Sequence, residues 1–139
     1  MMNVYLDASV VLRKLRQEPG SMPGWAQWEH AYTSVLLRVE VLRTIDRNRL
    51  KGAISDHEVA ELITKAHAIF DVVEFVALSP SILDRASHSF LTPLGTLDAL
   101  HLATALRLVE GGVLDMVLLT HDTELAVAAR SVNFPVEGS

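Results

Sequence analysis

Cysteine is absent from this 139-residue chain. That excludes disulfides and thiolate metal sites and agrees with a cytoplasmic setting. Long apolar runs are missing too: none approaches the roughly 18 residues of a membrane span, so no membrane segment is expected. The opening MMNVYLDAS has no basic region leading into a long apolar stretch, and so no visible secretory signal. Charged residues make up 21% of the chain against 50% hydrophobic, which excludes a disordered polypeptide. No repeat, low-complexity tract or linker divides it, and residues 1–139 suit one compact domain. Basic charge is in deficit, with a net charge of −5. This counts against a nucleic-acid partner, which usually leaves a basic footprint. The objection weakens if two divalent ions bind, since they would bring −5 to about −1. The bases are also clustered, with Arg13, Lys14 and Arg16 in one group and Arg38, Arg43, Arg47, Arg49 and Lys51 in another.

What is present is an alternation of strand-like and helix-like patterns, which predicts an α/β domain with a largely parallel sheet. Val4 and Leu6 mark a first strand, and a helix follows through Val10, Val11, Leu12 and Leu15. Glu18-Pro19-Gly20 stops that helix, and a loop runs on to Pro23-Gly24. Trp25 and Trp28 are spaced to share a helical face, by default for core packing, otherwise for docking a partner. Ala31–Thr33 forms a brief strand, and Ser34 caps a helix reaching Leu50, with Gly52 beyond it. Ser55 and Glu58 have capping-box spacing for a helix over 56–70. Val72–Leu78 reads as a buried strand, and Pro80 opens a helix to about Ser89. Thr96 caps a helix ending at Gly111-Gly112, and Met116–Thr120 is a strand covered on both faces. The last helix spans about Thr123–Val132 with Asn133 in a left-handed cap, and Phe134–Val136 adds an edge strand.

Four carboxylates stand out in apolar surroundings: Asp7 in VYLDAS, Glu40 in SVLLRVEVLR, Asp98 in GTLDALHLATA and Asp122 in VLLTHDTELAVAA. Burying such groups singly is costly, and like charges raise one another's pKa, so their convergence makes sense around a divalent cation. Asp7 and Asp122 fall at the carboxyl ends of strands, where open parallel sheets gather functional groups. Each can equally be a helix N-cap, and Asp98 a favourable charge in a helix first turn. On the second helix, Val35, Val39, Val41, Leu42 and Ile45 cover an apolar face, while Glu40, Arg43 and Arg47 share the opposite stripe. That stripe is either solvated, with a modest Glu40–Arg43 pair, or turned to a cleft with Glu40 on a metal and the arginines on phosphates. Periodicity does not choose.

Oxygen-only ligands, without Cys or a His pair at zinc-binding spacing, select a hard cation, Mg²⁺ or Mn²⁺. Such an ion suits a phosphodiester-cleaving nuclease. Ser9 and Thr120 each lie two residues from a site carboxylate and either hydrogen-bond it (or a water on the metal) or are ordinary strand-end and turn residues. His101, three residues after Asp98 on the same helix face, is read as packed or hydrogen-bonded before it is read as catalytic.

The segments YLDAS, TSVLLRVEVLR, GTLDALHLATA and LLTHDTELAVAA, in this order and spacing, resemble the PIN-domain family, specifically its VapC-type toxins. The most specific of them is LDALHLATA. The resemblance implies a three-layer α/β/α fold with a mainly parallel central sheet. It implies Mg²⁺ or Mn²⁺ on Asp7, Glu40, Asp98 and Asp122, cleavage of RNA by a metal-activated water, a homodimer, and silencing by a VapB-type antitoxin lying across the cleft. One departure is Asn133, where the family commonly has glycine. Asp115 precedes its strand and is expected at the far edge from the site.

A catalytically idle PIN-like domain that binds RNA or a protein is the rival, and an idle domain has no need of four mutually repelling carboxylates. A haloacid-dehalogenase-type phosphatase would want a second Asp where Ser9 stands. A receiver domain would want a central phospho-accepting Asp and a late strand-end Lys, both missing. DNA as substrate stays open, because nothing here is recognisable as a reader of the 2′-hydroxyl. If the carboxylates cluster, Asn at position 7 or 98 is expected to abolish cleavage while keeping or raising metal-free stability.

Overall fold

The computed structural model describes residues 2–16 and 25–138. Strand β1 (Asn3–Leu6) leads into helix α1 (Ala8–Arg16); then come β2 (His30–Ser34), α2 (Leu36–Leu50), α3 (Asp56–Phe70) and β3 (Glu74–Val76). Helices α4 (Pro80–Ser87) and α5 (Thr96–Glu110) precede β4 (Met116–Leu119), α6 (Thr123–Ser131) and β5 (Val136–Glu137). All strand pairs are parallel, in the order β3-β2-β1-β4-β5.

Successive side chains of a strand point to opposite faces, and that alternation builds two cores. Val4 and Leu6, with Ala31 and Leu119 beside them, pack on α1, α2 and α3 through Val11, Leu37, Val41 and Phe70. Tyr5, with Met116 and Leu118, faces α5 and α6 through Leu102, Leu125 and Ala129. Each fully buried Leu or Val side chain contributes ~1.5–3 kcal/mol of transfer free energy. Helices on both faces of a parallel sheet give the expected three layers. Among the described residues no helix is long and apolar enough to cross a membrane.

The capping box at Ser55 and Glu58 forms as read, and Gly52 and Asn133 adopt the left-handed backbone at φ +72° and +61°. Several expectations need correction. Val72–Leu78 shrinks to the three-residue strand β3, because that edge position pairs with β2 alone, and Val72 stands 78% exposed in the preceding turn. Trp25 lies in a turn and Trp28 in a bend, not in a helix: the Glu29 N–H already bonds Met2 O beside β1. Their rings meet edge to face at 5.1 Å, half-buried on the first core, which is the packing role. Gly95, not Thr96, occupies the N-cap of α5, and Val35 that of α2, although Ser34 Oγ does accept the Leu36 N–H at 3.1 Å. Helix α4 stops at Ser87, and β5 begins at Val136 because Phe134 turns into the second core. The stop at Glu18-Pro19-Gly20 and the loop to Pro23-Gly24 lie outside the described residues.

Candidate active site

Strands β2 and β3 lie on one side of β1, and β4 and β5 on the other, so the chain reverses its direction of winding between β1 and β4. Crevices open at the carboxyl ends of strands at such a switch point. Here it holds a cavity of about 480 Å³, lined by Asp7, Glu40, Asp98 and Asp122 together with Arg43 and Arg47. Residues dispersed over 116 positions of sequence thus meet on one surface.

Asp7 is 3% exposed and held by three donors. Its Oδ1 accepts the Ser9 N–H at 2.9 Å, as an N-cap would, and the Ser9 hydroxyl at 2.5 Å. Its Oδ2 accepts the Thr120 hydroxyl at 2.6 Å. Each hydroxyl has a single hydrogen and has given it to Asp7, so its oxygen can accept elsewhere. Ser9 Oγ accepts the His121 N–H at 2.8 Å, and Thr120 Oγ1 the Asp122 N–H at 2.9 Å. The two hydroxyls therefore tie the end of β1 to the turn after β4. Burial pushes the Asp7 carboxyl up, against the pull of the Ser9 and Thr120 bonds. Asn at position 7 would turn an NH₂ toward donors, so the expectation of kept or raised metal-free stability is withdrawn for Asp7 and stands for Asp98.

Asp98 sits in the first turn of α5, and among the described residues its carboxylate accepts no hydrogen bond. Burial pushes its pKa up to about 6, reinforced by the charges of Asp122 and Asp7 and, more weakly, Glu40; His101 opposes. Asp122 does serve as N-cap of α6, its Oδ1 accepting the Leu125 N–H at 2.9 Å, and it still lines the cavity. The N-cap and site readings of Asp122 thus describe one residue with two oxygens.

Glu40, Arg43 and Arg47 face the cleft, not bulk solvent alone. The apolar face of α2 is narrower than its sequence suggests: Leu37, Val41 and Ile45 are buried, while Val39 is 54% exposed at the cavity rim. The Glu40–Arg43 pair does not form, because Glu40 Oε1 bonds His101 Nε2 at 2.5 Å. Among the described residues neither Arg43 nor Arg47 has an ionic partner, which leaves two cations beside the carboxylates.

Sequence reasoning missed Tyr5, whose hydroxyl bonds His101 Nδ1 at 2.8 Å. A tyrosine between the aliphatic Val4 and Leu6 was the signal. It missed Thr33 as well, whose buried hydroxyl donates to Leu6 O at 2.8 Å and braces the strand end that carries Asp7. Asp115 lies, as expected, at the opposite edge, its carbonyl accepting the Asn3 N–H at 3.1 Å.

Among the described residues no three acidic or histidine side chains are gathered closely enough to hold a metal ion already. The donor chemistry nonetheless fits a hard cation. All the carboxylates open on one cavity, and Asp98 is an unbonded carboxyl under the repulsion of three others.

Similar folds occur in solved structures. FitAcB from Neisseria gonorrhoeae superposes with a TM-score of 0.74 at 15% identity, over 96% of this chain and 95% of that one. A toxin–antitoxin complex from Klebsiella pneumoniae gives 0.68 at 15%, covering 98% of each chain. VapBC2 from Rickettsia felis, bound to a DNA fragment from its promoter, gives 0.66 at 14%, again over 98% of each. No curated protein matches the chain. The PIN domain family matches residues 4–131, nearly the whole length, and the chain belongs to that family.

Proposed function

We propose that this protein is a Mg²⁺- or Mn²⁺-dependent endoribonuclease of the VapC toxin type, acting in the cytoplasm as a homodimer and silenced by a VapB-type antitoxin. PIN domains are generally nucleases. The observation that carries the reading is the convergence of Asp7, Glu40, Asp98 and Asp122 with Arg43 and Arg47 on one cleft. Similarity in fold to toxin–antitoxin complexes supports an antitoxin as the partner.

The four carboxylates would hold the cation, which when bound lowers the pKa of a water and offsets charge on the leaving oxygen. The chain's own residues do the rest. Ser9 and Thr120 fix Asp7 so that it need not reorganise during turnover. Arg43 and Arg47 supply donors for phosphate oxygens and carry the electrostatics of RNA binding despite the net charge of −5. An idle RNA- or protein-binding domain would leave the repulsion on Asp98 without benefit.

The test is cleavage of a mixed structured-RNA pool by antitoxin-free protein with Mg²⁺, with Mn²⁺ and with EDTA, beside Asp98→Asn. Cutting in the metals that ceases in EDTA and in the variant is the expected result. Cutting that persists in both would refute the assignment.

A further inference from the structure

His101 is 1% exposed and bonded at both ring nitrogens. The ring stands edge to face with Tyr5, their centroids 5.7 Å apart. The Tyr5 phenol is an O–H at neutral pH and, fully buried, needs an acceptor. Nδ1 of His101, 2.8 Å away, serves as that acceptor in the tautomer that lets Nε2 donate to the Glu40 carboxylate, which can only accept. The ring proton then resides on Nε2, directed at Glu40 Oε1. A glutamate side chain has three rotatable torsions, and an unheld carboxylate on α2 would sample many positions. A buried ring clamped from behind removes that freedom.

We propose that His101, locked in one tautomer by Tyr5, is a positioning residue: it holds one oxygen of Glu40 and so presents the other to the cleft. The relay itself follows from the hydrogen bonds; its consequence for metal binding rests on the nuclease reading above. Groups that hold a ligating carboxylate from behind contribute about 10–100-fold to metal affinity or activity when removed.

Mn²⁺ titrated into the metal-free full-length protein, with free Mn²⁺ read by EPR, tests the consequence. His101→Leu removes the donor at similar volume and is expected to weaken binding about 10–100-fold. His101→Gln returns an amide N–H near the place of Nε2 and is expected to recover most of the loss, with Tyr5→Phe between the two. Wild-type affinity in His101→Leu, while Asp98→Asn binds poorly, overturns the proposal. If His101→Leu does not fold by circular dichroism, a Tyr5→Phe variant with unaltered affinity overturns it instead.

The relay is tested without metal by ¹⁵N imidazole spectra. His101 is expected as the Nε2–H tautomer, with a proton shifted downfield by the carboxylate and restored to an ordinary position in Glu40→Ala. A spectrum indifferent to Glu40 overturns the relay. If the wild type binds no Mn²⁺, the nuclease reading fails, and the imidazole spectra decide the relay alone.

Discussion

Asp7 and Asp115 bracket neighbouring strands of one parallel sheet, yet they are used in opposite ways. Asp7 follows β1 at the carboxyl end, and its side chain gathers three donors at the rim of the cavity. Asp115 precedes β4 at the other end, where its backbone does the work: it turns through φ +52° and its carbonyl pairs with Asn3. In a parallel sheet the carboxyl edge collects chemistry and the amino edge mostly closes turns. Which end of a strand an acidic residue occupies decides its role more than its type does.

The largest effect that would sharpen this contrast is on cleavage. On the proposed ribonuclease reading, Asp7→Asn and Asp98→Asn are each expected to lose at least about 10²-fold of activity, the scale of removing a group that stabilises developing charge. Asp115→Asn should stay within about twofold. An Asp115 variant as inactive as the other two would erase the distinction between the edges.

Next comes stability at the Asp7 end. Thr120→Val removes a charge-assisted hydrogen bond from a buried carboxylate and is expected to cost ~1.5–3 kcal/mol in urea unfolding of the metal-free protein. Unfolding identical to the wild type would mean that the hydroxyl does not hold Asp7.

A smaller, pH-dependent effect belongs to Asp98. Its folded pKa of about 6 lies above the ordinary carboxyl value of 3.8, so the folded state prefers the protonated form. The stability gained from that proton is fully present below about 4 and is lost as pH rises through about 6. In EDTA, Asp98→Asn should therefore flatten the fall in melting temperature between pH 4 and 7 that the wild type carries from this group. A wild-type curve and a variant curve that run parallel would contradict the repulsion described for the cleft.

The smallest effect lies at the amino edge. Asp115→Gly relieves the positive φ and should raise stability by no more than ~1 kcal/mol, with cleavage untouched. A loss of stability would indicate that the Asp115 side chain has a role beyond the turn.

Much of this was legible in one dimension because it depends on local rules. The alternation of Val4, Tyr5 and Leu6 dictates two faces, the Ser55–Glu58 box closes within three residues, and Gly52 and Asn133 mark left-handed ends. The apolar context of Asp7, Glu40, Asp98 and Asp122 nominated the site for the same reason: isolated carboxylates are costly there. What periodicity left open was orientation. Strand-like Val72 proved exposed because a third-strand edge covers only part of the segment, and Trp25 and Trp28 had helical spacing without a helix.

The sequence by itself therefore determined the α/β class, nearly all the helices and strands, and which carboxylates were candidates. Only the tertiary structure decided that the Glu40 stripe faces the cleft, that Ser9 and Thr120 converge on Asp7 from either side of the switch point, and that Tyr5 clamps His101 behind Glu40. The reason is separation along the chain. Thr120 and Asp7 are 113 residues apart, Tyr5 and His101 96, and no local preference encodes a hydrogen bond that forms only when the sheet assembles.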